Sequence, residues 1–285
     1  MIYTGGTIGM VEDIDSKALH PFDFSQITQE IPEFQKLNCS VTTISFEHPI
    51  DSSDVSTHDW NKIAGMIEEN YQNYDGFIIL HGTDTMAYTA SALSFMLENL
   101  GKPVIVTGSQ IPLAELRSDG QSNLLNALHI AANYPINEVT LFFNNKLIRG
   151  NRSTKSHADG FDAFSSPNLP PLLEAGINIQ INGAEINKQP EGAFTVNDIT
   201  PQPIGVVTMY PGISAEVIKN TLRQPVNAMI LLTFGVGNAP QNPELLAQLK
   251  EASERGVVVV NLTQCLSGKV NMGGYATGCA LAEAG

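Results

Sequence analysis

Phe77-Ile78-Ile79-Leu80 runs without a break into His81-Gly82-Thr83-Asp84-Thr85, and a helical stretch over about residues 86–99 follows, ended by Gly101 and Pro103. Four apolar residues bounded by a polar glycine turn read as a strand buried on both faces. The pattern recurs downstream. Val104-Ile105-Val106 leads into the loop Thr107-Gly108-Ser109-Gln110, a helix is expected over 119–133, and Val139-Thr140-Leu141-Phe142-Phe143 is a third apolar run. Buried strands alternating with helices predict βαβ units, that is, a parallel sheet with helices over both faces.

Between residues 182 and 203 the pattern weakens: Gly183, Pro190, Gly192, Pro201 and Pro203 punctuate polar sequence, which reads as a linker. Alternation then resumes, with strands expected over 204–209, 228–232 and 257–262 and helices over 214–222 and 243–255. The expected organisation is an α/β fold with a larger domain over 1–182, a linker over 183–203 and a smaller α/β domain over 204–285.

The 285 residues are 42% hydrophobic and 15% charged, a composition that supports a substantial core and argues against disorder. The net charge of −14 repels phosphate backbones and anionic lipid, which argues against nucleic-acid and membrane partners. Cys39, Cys265 and Cys279 form no close pair, as expected of free thiols in a reducing cytoplasm. No apolar run reaches the length of a membrane span, and no basic-then-apolar leader is visible.

In an open parallel sheet, ligands bind beyond the carboxyl ends of the strands. Polar clusters fall at such places: Tyr3-Thr4-Gly5-Gly6-Thr7-Ile8-Gly9, Asp51-Ser52-Ser53-Asp54, Gly82-Thr83-Asp84-Thr85 and Asn151-Arg152-Ser153-Thr154-Lys155. Two of them set threonines beside glycines, which let a backbone approach a ligand and present N–H groups to it. A threonine hydroxyl is a weak nucleophile that needs a nearby base. Lys155 supplies one if it lies against Thr83, and Asp84 could bind a substrate ammonium group. Each residue taken alone has a plainer reading: Thr83 or Asp84 as the N-cap of the next helix, Thr7 as a local cap, Lys155 as a solvated lysine, Asp51 to Asp54 as a turn before the helix that holds Trp60. Other chemistries find no motif. There is no Walker loop, H-E-x-x-H, C-x-x-C or G-x-S-x-G, and Gly235-Val236-Gly237-Asn238-Ala239-Pro240 has proline where a dinucleotide loop needs its third glycine. No metal site is expected.

Thr4-Gly5-Gly6-Thr7-Ile8 resembles one signature of the asparaginase/glutaminase family and Leu80-His81-Gly82-Thr83-Asp84-Thr85-Met86 resembles the other, in the family's order and separation. The resemblance extends through Asp51-Ser52-Ser53-Asp54, Phe95-Met96-Leu97-Glu98-Asn99-Leu100, Arg149-Gly150-Asn151-Arg152 and Ser166-Pro167-Asn168-Leu169-Pro170-Pro171, segments that look most like the cytoplasmic, type I branch of bacterial L-asparaginases. The resemblance implies a large flavodoxin-like domain followed by a smaller α/β domain, and hydrolysis of L-asparagine to L-aspartate and ammonia. It makes Thr7 the nucleophile that forms an acyl-enzyme, Thr83, Asp84 and Lys155 a second catalytic triad, and Asp51, Ser52 and Ser53 the holders of the substrate's α-amino and α-carboxylate groups, with Thr83 and Asp84 also on the substrate. It implies no cofactor, a cytoplasmic location, and a homodimer or a homotetramer built as a dimer of dimers. It also implies a further strand and helix beyond Gly285, so the small domain reads as cut short, and a tyrosine in the loop after the nucleophile, where residues 11–24 hold none. That loop is expected to act as a lid in which His20 and Lys17 supply no indispensable side chain. The alternatives are a mixed glutaminase-asparaginase, an amidotransferase subunit, which would carry an extra N-terminal domain, and a non-catalytic asparagine-binding homologue.

Overall fold

The computed structural model describes residues 1–12, 19–21, 31–183, 185–274 and 276–284, and the chain divides into two compact units, Met1–Ile199 and Thr200–Gly285. In the first unit β1 (Ile2–Gly5), β2 (Ile44–Ile50), β3 (Phe77–Leu80), β4 (Val104–Thr107) and β5 (Val139–Phe143) are joined through α1 (Thr57–Asn70), α2 (Met86–Met96) and α3 (Gly120–Asn133). These five strands are parallel and lie in the order β2-β1-β3-β4-β5, the flavodoxin-like order, whose switch point falls where β1 sits between β2 and β3. The chain then turns at Asn144 and Asn145, both at positive φ, into β6 (Lys146–Arg149). A short hairpin of β7 (Thr154–Lys155) and β8 (Phe164–Ser165) precedes β9 (Leu173–Ala175) and β10 (Ile179–Ile181). Strands β6, β9 and β10 extend the sheet antiparallel, to eight strands in all.

The apolar runs are explained by burial on both faces. Phe77 and Ile79 of β3 face a core shared with Ile63 and Ile67 of α1 and Ala90 and Leu93 of α2; Ile78 and Leu80 face another shared with Leu124, Ala127 and Leu128 of α3. Removing an aliphatic side chain of this size from water contributes roughly 1.5–3 kcal/mol, so burial on both sheet faces stabilises the unit. Helix α1 begins where Asp59 accepts from the Ser56 N–H at 2.9 Å, which satisfies a donor at the helix start.

Two expectations need adjustment. Helix α2 ends at Met96, short of residue 99, because Leu97–Glu98 leaves it to pair antiparallel with Thr195–Val196 and Asn99 turns at φ 54°. For the same reason the stretch read as a linker over 183–203 belongs largely to the first unit. Phe194 stacks on Tyr71 with ring centroids 3.8 Å apart, and Ile199 exchanges hydrogen bonds with Asn61.

The second unit is a three-stranded parallel sheet of β11 (Ile204–Thr208), β12 (Ala228–Thr233) and β13 (Val258–Thr263), with α4 (Ala215–Thr221), α5 (Pro243–Glu254) and α6 (Ala276–Glu283). Ser214 and Asn242 cap α4 and α5 through their side chains. One sheet face packs Val207, Met229 and Leu231 against Ile218, Leu245 and Leu249. The other leaves Ile204, Val206, Val258, Val260 and Leu262 exposed. No helix among the described residues is long and apolar enough to cross a membrane.

Candidate active site

Because β1 lies between β2 and β3, with Tyr3 in register with Ser45 on one side and Leu80 on the other, the loops that leave these three strands emerge side by side. They meet through glycine. Gly6 has φ 85°, and a side-chain carbon on it would lie 2.3 Å from the Gly82 nitrogen; one on Gly82 would lie 2.5 Å from Ser52 Oγ. Only glycine permits that approach and that φ together. The seam sets Thr7 and Thr83, the residues that follow Gly6 and Gly82, on adjoining turns at the switch point, with Ser52 against Gly82. Thr4 Oγ1 reinforces it by donating to the Leu80 carbonyl at 2.8 Å.

Thr7 opens a single 3-10 turn, Thr7–Gly9, and is partly exposed. The Tyr3 hydroxyl beneath donates to the Gly9 carbonyl at 3.3 Å. Burial pushes this phenol up to about 12, so it stays protonated and keeps its role as donor. Thr83 and Asp84 do not cap the next helix: the N-cap is Thr85, whose hydroxyl donates to the Ser52 carbonyl at 2.6 Å. Their side chains are therefore left for other partners. Lys155, delivered by β7, donates from Nζ to Thr83 Oγ1 at 3.0 Å and to Asp84 Oδ1 at 2.7 Å. The Asp84 side chain is 64% exposed and Lys155 19%, so this ion pair adds little stability; what it does is hold an ammonium group against a threonine hydroxyl.

On the neighbouring turn, Asp51 Oδ1 accepts from the Ser53 N–H at 2.9 Å and the Ser53 hydroxyl at 2.8 Å. The backbone bond, then the hydroxyl bond, hold the Asp51 carboxyl below the usual carboxylate range, against a smaller opposing effect of burial. Asp51 and Ser53 are exposed and Ser52 is buried. Of the seven residues singled out from the sequence, Thr83, Asp84 and Lys155 are thus in direct contact and Thr7 and Ser52 adjoin them across the glycine seam. Asp51 and Ser53 bond each other on the flanking turn. Sequence reasoning missed two participants. Gln110 accepts from the Thr83 hydroxyl at 3.0 Å, and its only signal was its place in the loop after β4. His81, inside a quoted motif, is 1% exposed and bonds the Gly82 carbonyl at 2.8 Å. As for the expected lid, Met10–Glu12 and Leu19–Pro21 form a short antiparallel pair with Val11 opposite His20, while Lys17 and residues 22–24 lie outside the described residues.

A flavodoxin-like sheet that gathers threonine, aspartate and lysine at its switch point places the chain in a definite class: it belongs to the asparaginase family. The family model described as "Asparaginase, N-terminal" matches residues 1–187, and that described as "Glutaminase/Asparaginase C-terminal domain" matches 203–285. Within the family, the chain is 66% identical over 284 residues to L-asparaginase 1 of Escherichia coli (strain K12), covering 99% of this chain and 84% of the relative. Among solved structures it is similar to L-asparaginase I from Vibrio cholerae, with 70% identity, a TM-score of 0.91 and coverage of 99% of this chain and 84% of the other. It is also similar to the thermostable L-asparaginase from Thermococcus kodakarensis, with 30% identity, a TM-score of 0.90 and coverage of 99% and 85%.

Proposed function

We propose that this chain is an L-asparaginase, an amidohydrolase that converts L-asparagine to L-aspartate and ammonia through a threonine ester. The observation that carries the reading is the contact of Lys155 Nζ with both Thr83 Oγ1 and Asp84 Oδ1, and the close approach of Gly6, the residue before Thr7, to Gly82 supports it. The Thr7 hydroxyl oxygen adds to the side-chain amide carbon, the C–N bond breaks, and ammonia leaves with the hydroxyl proton. Water then adds to the ester, aspartate departs, and Thr7 regains its proton. Thr83, with Lys155 against it, orients the attacking groups and stabilises charge as it develops. The exposed Asp84 carboxylate takes the substrate ammonium group. Asp51, kept ionised by its Ser53 bonds, Ser52 and Ser53 hold the α-amino and α-carboxylate groups.

Ammonia release from asparagine and glutamine, measured side by side, tests the substrate. One methylene in a fitted site is worth about 1–3 kcal/mol, or roughly 10- to 200-fold in kcat/KM, and asparagine is the expected winner. Equal kcat/KM for the two amides would instead support a mixed glutaminase-asparaginase. Assembly as a homodimer or homotetramer follows from the resemblance to the type I branch, as does a cytoplasmic location, which three free cysteines also suit. Light scattering should give a mass of two or four chains of 30.7 kDa; the mass of one chain would contradict the assembly.

A further inference from the structure

The Thr83 hydroxyl has one proton and two lone pairs, and the structure accounts for most of them. Lys155 Nζ, which also donates to the Asp84 carboxylate, donates to Thr83 Oγ1 at 3.0 Å. That leaves the Thr83 proton for Gln110 Oε1, also at 3.0 Å.

Gln110 is itself held so that only this orientation of its amide works. Its Nε2 faces the Gly160 carbonyl at 3.0 Å and the Ala158 carbonyl at 3.4 Å. Both are acceptors, so a flipped amide would set oxygen against oxygen. Its backbone N–H points at the Asp119 carboxylate, 3.1 Å from both oxygens, and Asp119 is itself fixed by Asn123 Nδ2 at 3.2 Å. The Gly160 and Ala158 carbonyls belong to the β7–β8 hairpin that carries Lys155. One side chain therefore ties together the loop after β4, the Thr83 loop and the lysine-bearing hairpin.

We propose that Gln110 is a positioning residue that fixes the Thr83 hydroxyl as an acceptor toward the reacting groups. With its proton held by Gln110 and one lone pair facing Lys155, the remaining lone pair of Thr83 is the one available to the attacking water or to the Thr7 hydroxyl. Without Gln110 the rotor would be free to turn its proton toward the substrate, where it would compete with the attacking group. This inference rests on the threonine mechanism above and adds to it a residue and a direction for the Thr83 proton.

The test uses Gln110→Leu and Gln110→Glu, each also combined with Thr83→Val, with ammonia release measured against asparagine concentration and pH. Gln110→Leu should lower kcat about tenfold, the size expected of one neutral hydrogen bond, with KM within about twofold. In the Thr83→Val background, where no hydroxyl remains to orient, Gln110→Leu should cost nothing more, because residues that act through one another are not additive. A merely structural role would cost the same factor in both backgrounds. In Gln110→Glu, only the protonated carboxyl can donate to Gly160 while accepting from Thr83, so its kcat relative to wild type should rise toward acid pH. Gln110→Leu with wild-type kcat, or with an undiminished cost beside Thr83→Val, overturns the inference while leaving the threonine mechanism standing. Wild-type turnover by Thr83→Val alone would sink that mechanism and this inference with it.

Discussion

His81 sits with its ring out of reach of water, Nδ1 2.8 Å from the Gly82 carbonyl and Nε2 2.8 Å from Thr89 Oγ1. A carbonyl can only accept, so Nδ1 carries the hydrogen. Burial, the largest effect, lowers the imidazole pKa against smaller raising effects of the Gly82 bond and Asp59. The ring is then neutral, Nε2 accepts from the Thr89 hydroxyl, and Thr89 accepts from Trp60 Nε1 at 2.8 Å. Through this chain α1 and α2 hold the peptide that links Gly82 to Thr83. A pH dependence follows. The unfolded chain protonates this histidine below about pH 6.5, whereas the folded protein resists until the pH is lower. Its contribution to stability is therefore complete above that value and is lost as the pH falls, by at most about 1.4 kcal/mol per pH unit. Between about pH 7 and pH 5 the Tm of wild type should fall more steeply than that of His81→Gln, whose overall Tm should be lower. Parallel curves would show that His81 takes up its proton equally in both states.

The strands meet the site through their ends, where the β1 and β3 loops press backbone against backbone. Gly6→Ala would place a carbon 2.3 Å from the Gly82 nitrogen at φ 85°, where the obstacle is backbone and cannot swing away. Overpacking of this kind costs about 1–3 kcal/mol. The variant should show a lower urea midpoint and at least about a hundredfold lower kcat/KM, since misplacement by about 1 Å is enough for that. Near-normal values would mean that the seam does not set the site. How far such elements could be read from sequence depended on their burial. Phe77–Leu80, Val104–Thr107 and Val139–Phe143 lie inside the sheet with helices on both faces, so every side chain is apolar or buried and the runs are unbroken. The edge strand Ile44–Ile50 carries Glu47, His48 and Pro49 among half-exposed neighbours, and a proline is tolerated there because one side of an edge strand needs no donor. That mixture hid it. Lys146–Arg149, Leu173–Ala175 and Ile179–Ile181 were hidden by shortness, and Thr195–Val196 by the glycines and prolines around it. At the site, motifs exposed Thr7, Thr83 and Asp84, but Gln110 comes from a loop whose partner, the hairpin carrying Lys155, is remote in sequence.

At the scale of the molecule, every group assigned to the chemistry lies in the first unit, on loops at the carboxyl ends of β1 to β4 or on the β7–β8 hairpin. The parallel strands set where those loops emerge, and the antiparallel extension beyond β5 carries the chain back so that Lys155 reaches Thr83. The second unit has its own sheet and core. The central claim is that Thr7 is the attacking group and Thr83 its partner in the second triad. The most direct measurement is steady-state ammonia release from asparagine by wild type, Thr7→Ala and Thr83→Val, with aspartate binding measured in parallel by calorimetry. The expected result is a loss in kcat of at least about a thousandfold for each variant, because each removes a group that acts in the transition state, with aspartate still bound by both. Near-wild-type kcat in either variant, with the protein folded, would contradict the account.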